Sequence, residues 1–228
     1  MTIYLHEIVY ATPGQEEPYM AALLGLTGYE PLATGETGHF LQFGLFRTTE
    51  VSGRWPCVIN VWEMADWPEF VNNLRLQFTD VRDAYMEDWW NRSLVLRRGG
   101  FDRVLIPSHL SPKLEDLVSA GTKAQVVLQE IVQVPFGEAR NYLARMEETI
   151  LAVAAAHGWS LLGANRVAMR PRELVVLWGM RTWADLSAFL SEARDPLVRR
   201  WLAYREEVVT CSEELLLMPG RLNPIRVG

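Results

Sequence analysis

The chain of 228 residues is 49% hydrophobic and 22% charged and carries a formal charge of −6. That balance belongs to a well-packed globular protein, and the acidic excess opposes nucleic-acid binding, which calls for a basic stripe. No run of about 18 apolar residues is present to span a membrane, and MTIYLHEIVY lacks the basic region that opens a secretory leader, so a cytoplasmic protein is expected.

In chain order, IYLHEIVY (Ile3–Tyr10) is rich in β-branched and aromatic residues and runs into a Pro-Gly turn, which predicts a strand. ATGETGHF (Ala33–Phe40) is Gly-rich and longer than its counterpart later in the chain, a candidate lid or ligand entrance. VINVWEM (Val58–Met64) reads as a strand whose alternation puts Val58, Asn60, Trp62 and Met64 on one face. DVRDAYMEDWWNR (Asp80–Arg92) is helical, with Tyr85 and Trp89 four apart on one side. VVLQEIVQ (Val126–Gln133) predicts another strand. The helix of GEARNYLARMEETILAVAAAHG places Tyr142, Met146, Ile150 and Val153 at helical spacing and stops at Gly158. WSLLGANRVAMR and ELVVLWGM are strands joined by the turn RPRE. The segment from Trp183 to Val209 is helical with a break at Asp195-Pro196, and EELLLMP closes as a strand ended by Pro219. Cys57 and Cys211 lie far apart without metal-ligand spacing, and reduced thiols are expected.

An internal repeat governs the architecture. Leu5–Leu23 aligns with Leu128–Met146, keeping Leu, Glu, Ile, Val, Gly and Tyr in register. NVWEMADW (Asn60–Trp67) aligns with VLWGMRTW (Val176–Trp183), Asp83–Trp90 with Asp195–Leu202, and Arg103–Pro112 with Leu215–Pro224. Four blocks in one order describe a tandem duplication. The expected domains are 1–110 and 126–228, joined by a linker over 111–125. Each unit reads strand–helix–strand–strand–helix–strand, the split β-α-β arrangement of ferredoxin-like folds. The predicted class is α+β: two tandem ferredoxin-like (βαββαβ) units.

The opening IYLHEIVYATPG, the block VVLWGMRTWADLSAFLSEARDPLVRRWLAY and the closing ELLLMPGRLNP resemble the NIPSNAP family of the dimeric α/β-barrel superfamily. The resemblance implies a pseudo-dimeric α/β barrel within one chain. Its relatives include cofactor-free monooxygenases, small lyases and isomerases, and haem-binding enzymes, so fold does not choose the reaction. The family often carries a basic residue near Glu7, whereas both units here have an acid, Glu7 and Glu130.

No phosphate loop, metalloprotease helix, nucleophile elbow or metal set among four His is present. A site must therefore be assembled in three dimensions, and the repeat shows where to look. Positions shared by both units serve folding first; Glu7 and Glu130 are expected to be held by an Arg or a backbone donor, or else to act as a general base inside the barrel. A polar residue in one unit opposite an apolar one in the other needs another reason. Asn60 stands where the second unit has Val176, on an otherwise apolar face, and an unsatisfied amide there costs about 1–3 kcal/mol. With Trp62 it is similar to the Asn and Trp with which superfamily monooxygenases orient aromatic substrates. His6 replaces Gln129 beside Tyr4 and Tyr10 and can exchange a proton near neutral pH, or be a plain strand residue. His39 lies in the Gly-rich loop; His109 reads as a surface residue and His157 as a helix cap. Tyr85 can aim its hydroxyl into a cavity between helix and sheet, and Trp89, paired with Trp201, reads as core or pocket wall. Arg47 and Arg166 are candidate partners for the two Glu residues. Nine Trp tilt a pocket towards flat, apolar ligands.

The first expectation is a small-molecule enzyme without metal or organic cofactor. It acts on a flat hydrophobic substrate, aromatic, polyketide-like or terpenoid, by proton transfer (isomerase, lyase or cyclase) or by cofactor-free oxygenation. His6, Glu7, Asn60 and Tyr85 are its catalytic candidates, and Tyr4, His39, Trp62 and Trp89 contact substrate. The rivals are a non-catalytic binding or scaffold protein, with Asn60 satisfied by backbone, and a haem protein with His6, His39 or His157 as axial ligand. With the barrel completed in one chain, a monomer or loose homodimer is expected, without nucleic-acid or membrane partners.

Overall fold

A computed structural model describes residues 1–24, 41–78, 84–191, 195–221 and 223–226. They divide into Met1–Val104 with Gly220–Pro224, and Leu105–Pro219 with Ile225–Gly228.

The first unit runs β1 (Ile3–Ala11), α1 (Glu16–Leu24), β2 (Leu41–Thr48), β3 (Cys57–Met64), α2 (Trp67–Phe78), α3 (Ala84–Leu94) and β4 (Arg97–Pro107), whose last three residues count with the second unit. Its strands are ordered β4-β1-β3-β2. In the antiparallel β1–β3 pair Leu5 faces Trp62, Glu7 faces Asn60 and Val9 faces Val58. Directly paired residues share a side of the sheet, so Ile3, Leu5, Glu7 and Val9 join Val58, Asn60, Trp62 and Met64 on one face. The apolar members pack against Tyr19, Met20 and Leu23 of α1, Phe70 of α2 and Trp89 of α3. Each such side chain contributes about 1.5–3 kcal/mol, which ties the helices over this face. Tyr4, His6 and Ile8 belong to the opposite face by alternation. Where β4 passes β1 the chain uses glycine. Gly99 has φ 135°, and a Cβ on Gly100 would stand 2.8 Å from the Ile8 carbonyl oxygen.

The second unit holds α4 (Leu114–Ser119), β5 (Val126–Gln133), α5 (Ala139–Met146), α6 (Ala152–Ala154), β6 (Trp159–Val167), β7 (Arg170–Met180), α7 (Trp183–Ser191), α8 (Pro196–Val208) and β8 (Cys211–Pro219). Its order, β8-β5-β7-β6, repeats that of the first unit, and Glu130 pairs with Val176 on one side and Glu214 on the other. Short helix α4 falls inside the segment 111–125. The long predicted helix forms from α5 to His157 and ends at Gly158 with φ 74°, but a π turn interrupts it at Glu147–Leu151. There Thr149 donates its hydroxyl to the Arg145 carbonyl, a competing bond of the kind that disturbs regular helical pairing. At the predicted break, Asp195 caps α8 by accepting from Leu197 N at 2.7 Å, and Pro196 opens the helix. Leu128, Val132, Leu174, Val176, Trp178 and Met180 pack against Tyr142, Met146 and Trp201 in the core of this unit. Both units are ferredoxin-like, and the class is α+β. Cys57 and Cys211 are free thiols, and among the described residues no helix is long and apolar enough to cross a membrane.

Candidate functional site: a carboxylate without a cation partner

At the centre of the first unit's helix-facing sheet surface lies Glu7. Its Oε2 accepts from Trp62 Nε1 at 2.5 Å and from Asn60 Nδ2 at 3.3 Å. Both donors come from β3, fixed by the register that puts Glu7 opposite Asn60. Oε1 accepts no bond among the described residues, and no described Lys or Arg comes within the 4.0 Å of an ion pair. Burial therefore dominates. It pushes the Glu7 pKa up to about 7, helped by the nearby Asp102 charge and opposed by the Trp62 and Asn60 bonds and by Arg97. Glu7 is nevertheless only partly covered, so a solute can reach it.

Tyr19, Arg97 and Asp102 complete the cluster. Tyr19 is fully buried; burial raises its pKa above the ordinary phenol value, the Glu7 charge adds to this, and the neighbouring Arg97 and Asn60 oppose it. The Arg97 guanidinium lies 4.1 Å from the Trp90 ring centre and 5.9 Å from that of Trp89, within reach of cation–π attraction. Asp102 is raised chiefly by burial and lowered by Arg97. Asn60 is wholly buried, and its Oδ1 has no hydrogen-bond partner among the described residues. The amide thus serves the carboxylate and not the backbone, as the scaffold reading required.

The repeat supplies an internal control. Glu130 is also capped by a Trp, with Trp178 Nε1 donating to Oε2 at 3.0 Å. Its other oxygen, however, is taken by Arg205 Nη1 at 2.7 Å, and Arg205 Nη2 reaches Glu214 at 3.2 Å. Burial pushes Glu130 up and the Arg205 charge pulls it back. The Arg205 charge also acts on the buried Tyr142, whose hydroxyl pKa burial holds above the ordinary phenol value. The expected Arg clamp therefore exists in the second unit, supplied by α8 and not by Arg166, while Arg47 pairs at 3.9 Å with Glu17.

Of the predicted site residues, Glu7, Asn60 and Trp62 come together, and Trp89 shares their core with its indole N–H donating to the Ala22 carbonyl at 3.0 Å. Tyr4 and His6 are buried on the other face, away from Glu7; Tyr4 meets Phe43 edge-on at 5.2 Å. His39 lies outside the described residues. Tyr85 sits on α3, and its side chain lies outside the description. Sequence reasoning passed over Tyr19, Arg97 and Asp102. Tyr19 could have been found, since it aligns with Tyr142 in the repeat; Arg97 has no counterpart, as Val209 stands there.

The described histidines each have a place in the protein's own packing. His157 stacks on Trp159 at 4.6 Å and pairs with Asp195 at 3.5 Å, His109 pairs with Glu147 at 3.0 Å, and His6 is enclosed. Among the described residues no three His, Cys, Asp or Glu gather as a metal site.

No family model matches the chain, and no curated protein does. Solved structures do. A "putative monooxygenase" of Lactobacillus acidophilus is 11% identical with a TM-score of 0.66, covering 96% of this chain and 94% of its own. An anthrone oxidase-like protein is 8% identical with a TM-score of 0.64, covering 96% and 90%. The likeness to these structures is one of fold. Chlorite dismutase of Candidatus Nitrospira defluvii shares the fold at 10% identity and a TM-score of 0.54, covering 98% and 93%. A NIPSNAP family protein of Agrobacterium tumefaciens aligns with 46% of this chain and 93% of its own, at 20% identity and a TM-score of 0.39.

Proposed function

We propose that the first unit is a proton-transfer site for a flat, hydrophobic small molecule, with Glu7 as the general base. The observation that carries this reading is a reachable carboxylate poised near pH 7, held by an indole and an amide on one oxygen and bare on the other. A base near the working pH combines the right protonation state with adequate driving force. Glu7 Oε1 takes an acidic proton from the substrate, and the electron pair moves onto the substrate's conjugated oxygen. The Tyr19 hydroxyl and the Arg97 guanidinium meet that developing charge, in a setting where fixed donors act strongly. Trp62 and Trp89 form apolar walls, and Asn60 holds Glu7 and keeps Oδ1 for a donor on the ligand. The resulting enolate or phenolate has several fates: return of the proton at another carbon (isomerisation), loss of a leaving group (elimination), ring closure, or reaction with dioxygen without metal or organic cofactor. Fold neighbours described as monooxygenase and anthrone oxidase-like favour the last of these for aromatic, polyketide-like compounds, on the strength of fold alone.

The test follows exchange of solvent deuterium into a panel of enolisable aromatic ketones by NMR, with oxygen uptake recorded in parallel. Glu7→Gln is expected to reduce exchange about 100-fold or more. A Glu7→Gln protein that exchanges at the wild-type rate overturns the reading.

A further inference from the structure

The two units differ at three positions around an otherwise shared cluster. Glu7, Trp62, Tyr19, Trp89 and Asp102 align with Glu130, Trp178, Tyr142, Trp201 and Glu214. Asn60, Ser93 and Arg97 align with Val176, Arg205 and Val209. In the second unit the arginine stands on the last helix, one turn beyond the shared Trp, and seals Glu130 Oε1 at 2.7 Å. In the first unit that helix position is Ser93, fully buried, its hydroxyl donating to the Trp90 carbonyl at 3.0 Å. The arginine has moved four residues on, to the start of β4. From there the Arg97 charge acts on Tyr19 and Glu7 without forming an ion pair with the carboxylate, and the guanidinium stacks on Trp90. Everything needed to hold a buried carboxylate is kept, except the one group that would cover its second oxygen.

We infer that the second unit contains a closed copy of the ligand site, with the Arg205 guanidinium filling the place that a ligand's hydrogen-bond donor takes against Glu7 in the first unit. This rests on the reading of Glu7 given above and adds its stoichiometry and its gatekeeper. The chain binds one ligand, in the first unit, and Ser93 is the residue whose small size leaves that place open. The donor is a neutral acidic O–H of the phenol or enol type. Arg97 beside the site disfavours an approaching cation, and the donors on Arg97 and Tyr19 suit an oxygen that gains negative charge.

1-Naphthol serves as the probe, followed by calorimetry and by the side-chain carboxyl 13C resonances of Glu7 and Glu130. Wild type is expected to bind one equivalent and to shift Glu7 alone. Ser93→Arg is expected to stay folded, form a Glu7 ion pair and weaken binding at least tenfold, while Ser93→Ala binds as wild type does. Val176→Asn/Arg205→Ser/Val209→Arg is expected to raise the stoichiometry from one to two. Two equivalents on wild type, a Glu130 shift in wild type, or undiminished binding by folded Ser93→Arg overturns the inference. Should either variant fail to fold, the wild-type carboxyl shifts decide alone. Absence of any binding to wild type, or binding that survives Glu7→Gln unchanged, counts instead against the Glu7 reading itself.

Discussion

Glu7 and Glu130 are the same residue at the same strand position, yet conversion to Gln should act on them in opposite directions. The Glu7 pKa, about 7 when folded against 4.5 unfolded, means that its favourable contribution is complete below 4.5 and is lost as pH rises through 7. Glu7→Gln mimics the protonated form. It should leave stability unchanged at pH 4 and raise it at pH 8 by at most about 3 kcal/mol, read by urea unfolding at both pH values. Glu130→Gln strips a buried ion pair from Arg205 and should cost about 3 kcal/mol, in the same assay at pH 8. Asn60→Val copies the second unit. It removes an amide with an unpaired buried oxygen and should keep or slightly raise the thermal midpoint while lowering turnover, as a binding residue and not a structural one would.

At the level of elements, periodicity made most of the fold legible. The strand around Asn60 and the strand around Val176 were readable because alternation and an apolar face coincide, and the tandem repeat let each unit confirm the other. Glu7 with Asn60 and Trp62 was legible for the same reason, since all three lie on one face of two strands. Arg97 and Asp102 were not, because β4 contains RRGG, where alternation gives no face. Gly99 at φ 135° and Gly100 against the Ile8 carbonyl belong to the backbone path that brings these charges near Glu7. Gly100→Ala places a methyl 2.8 Å from that carbonyl oxygen and should destabilise by about 1–3 kcal/mol, seen as a lower midpoint in denaturant. His6 and Glu7, the alternative candidates for proton transfer, lie on opposite faces, because neighbours on a strand alternate.

Across the whole chain, duplication separates the demands of folding from those of chemistry. The second unit spends its arginine on closing Glu130, which suits a rigid half; the first leaves the carboxylate exposed to partial desolvation and accepts an acid that stays half protonated near neutrality. That difference predicts the pH behaviour of the entire molecule. If Glu7 must be ionised to act, kcat/KM should rise tenfold per pH unit below about 7 and level off above it. The Asp102 charge is part of what holds that inflection up, so Asp102→Asn, which removes a like charge, should move it to lower pH. Glu214→Gln, the same change at the matching position of the second unit, should leave the inflection where it was. An inflection that follows Glu214 and ignores Asp102 would place the working carboxylate in the wrong unit. Movement with Asp102 alone would tie the rate to the cluster around Glu7.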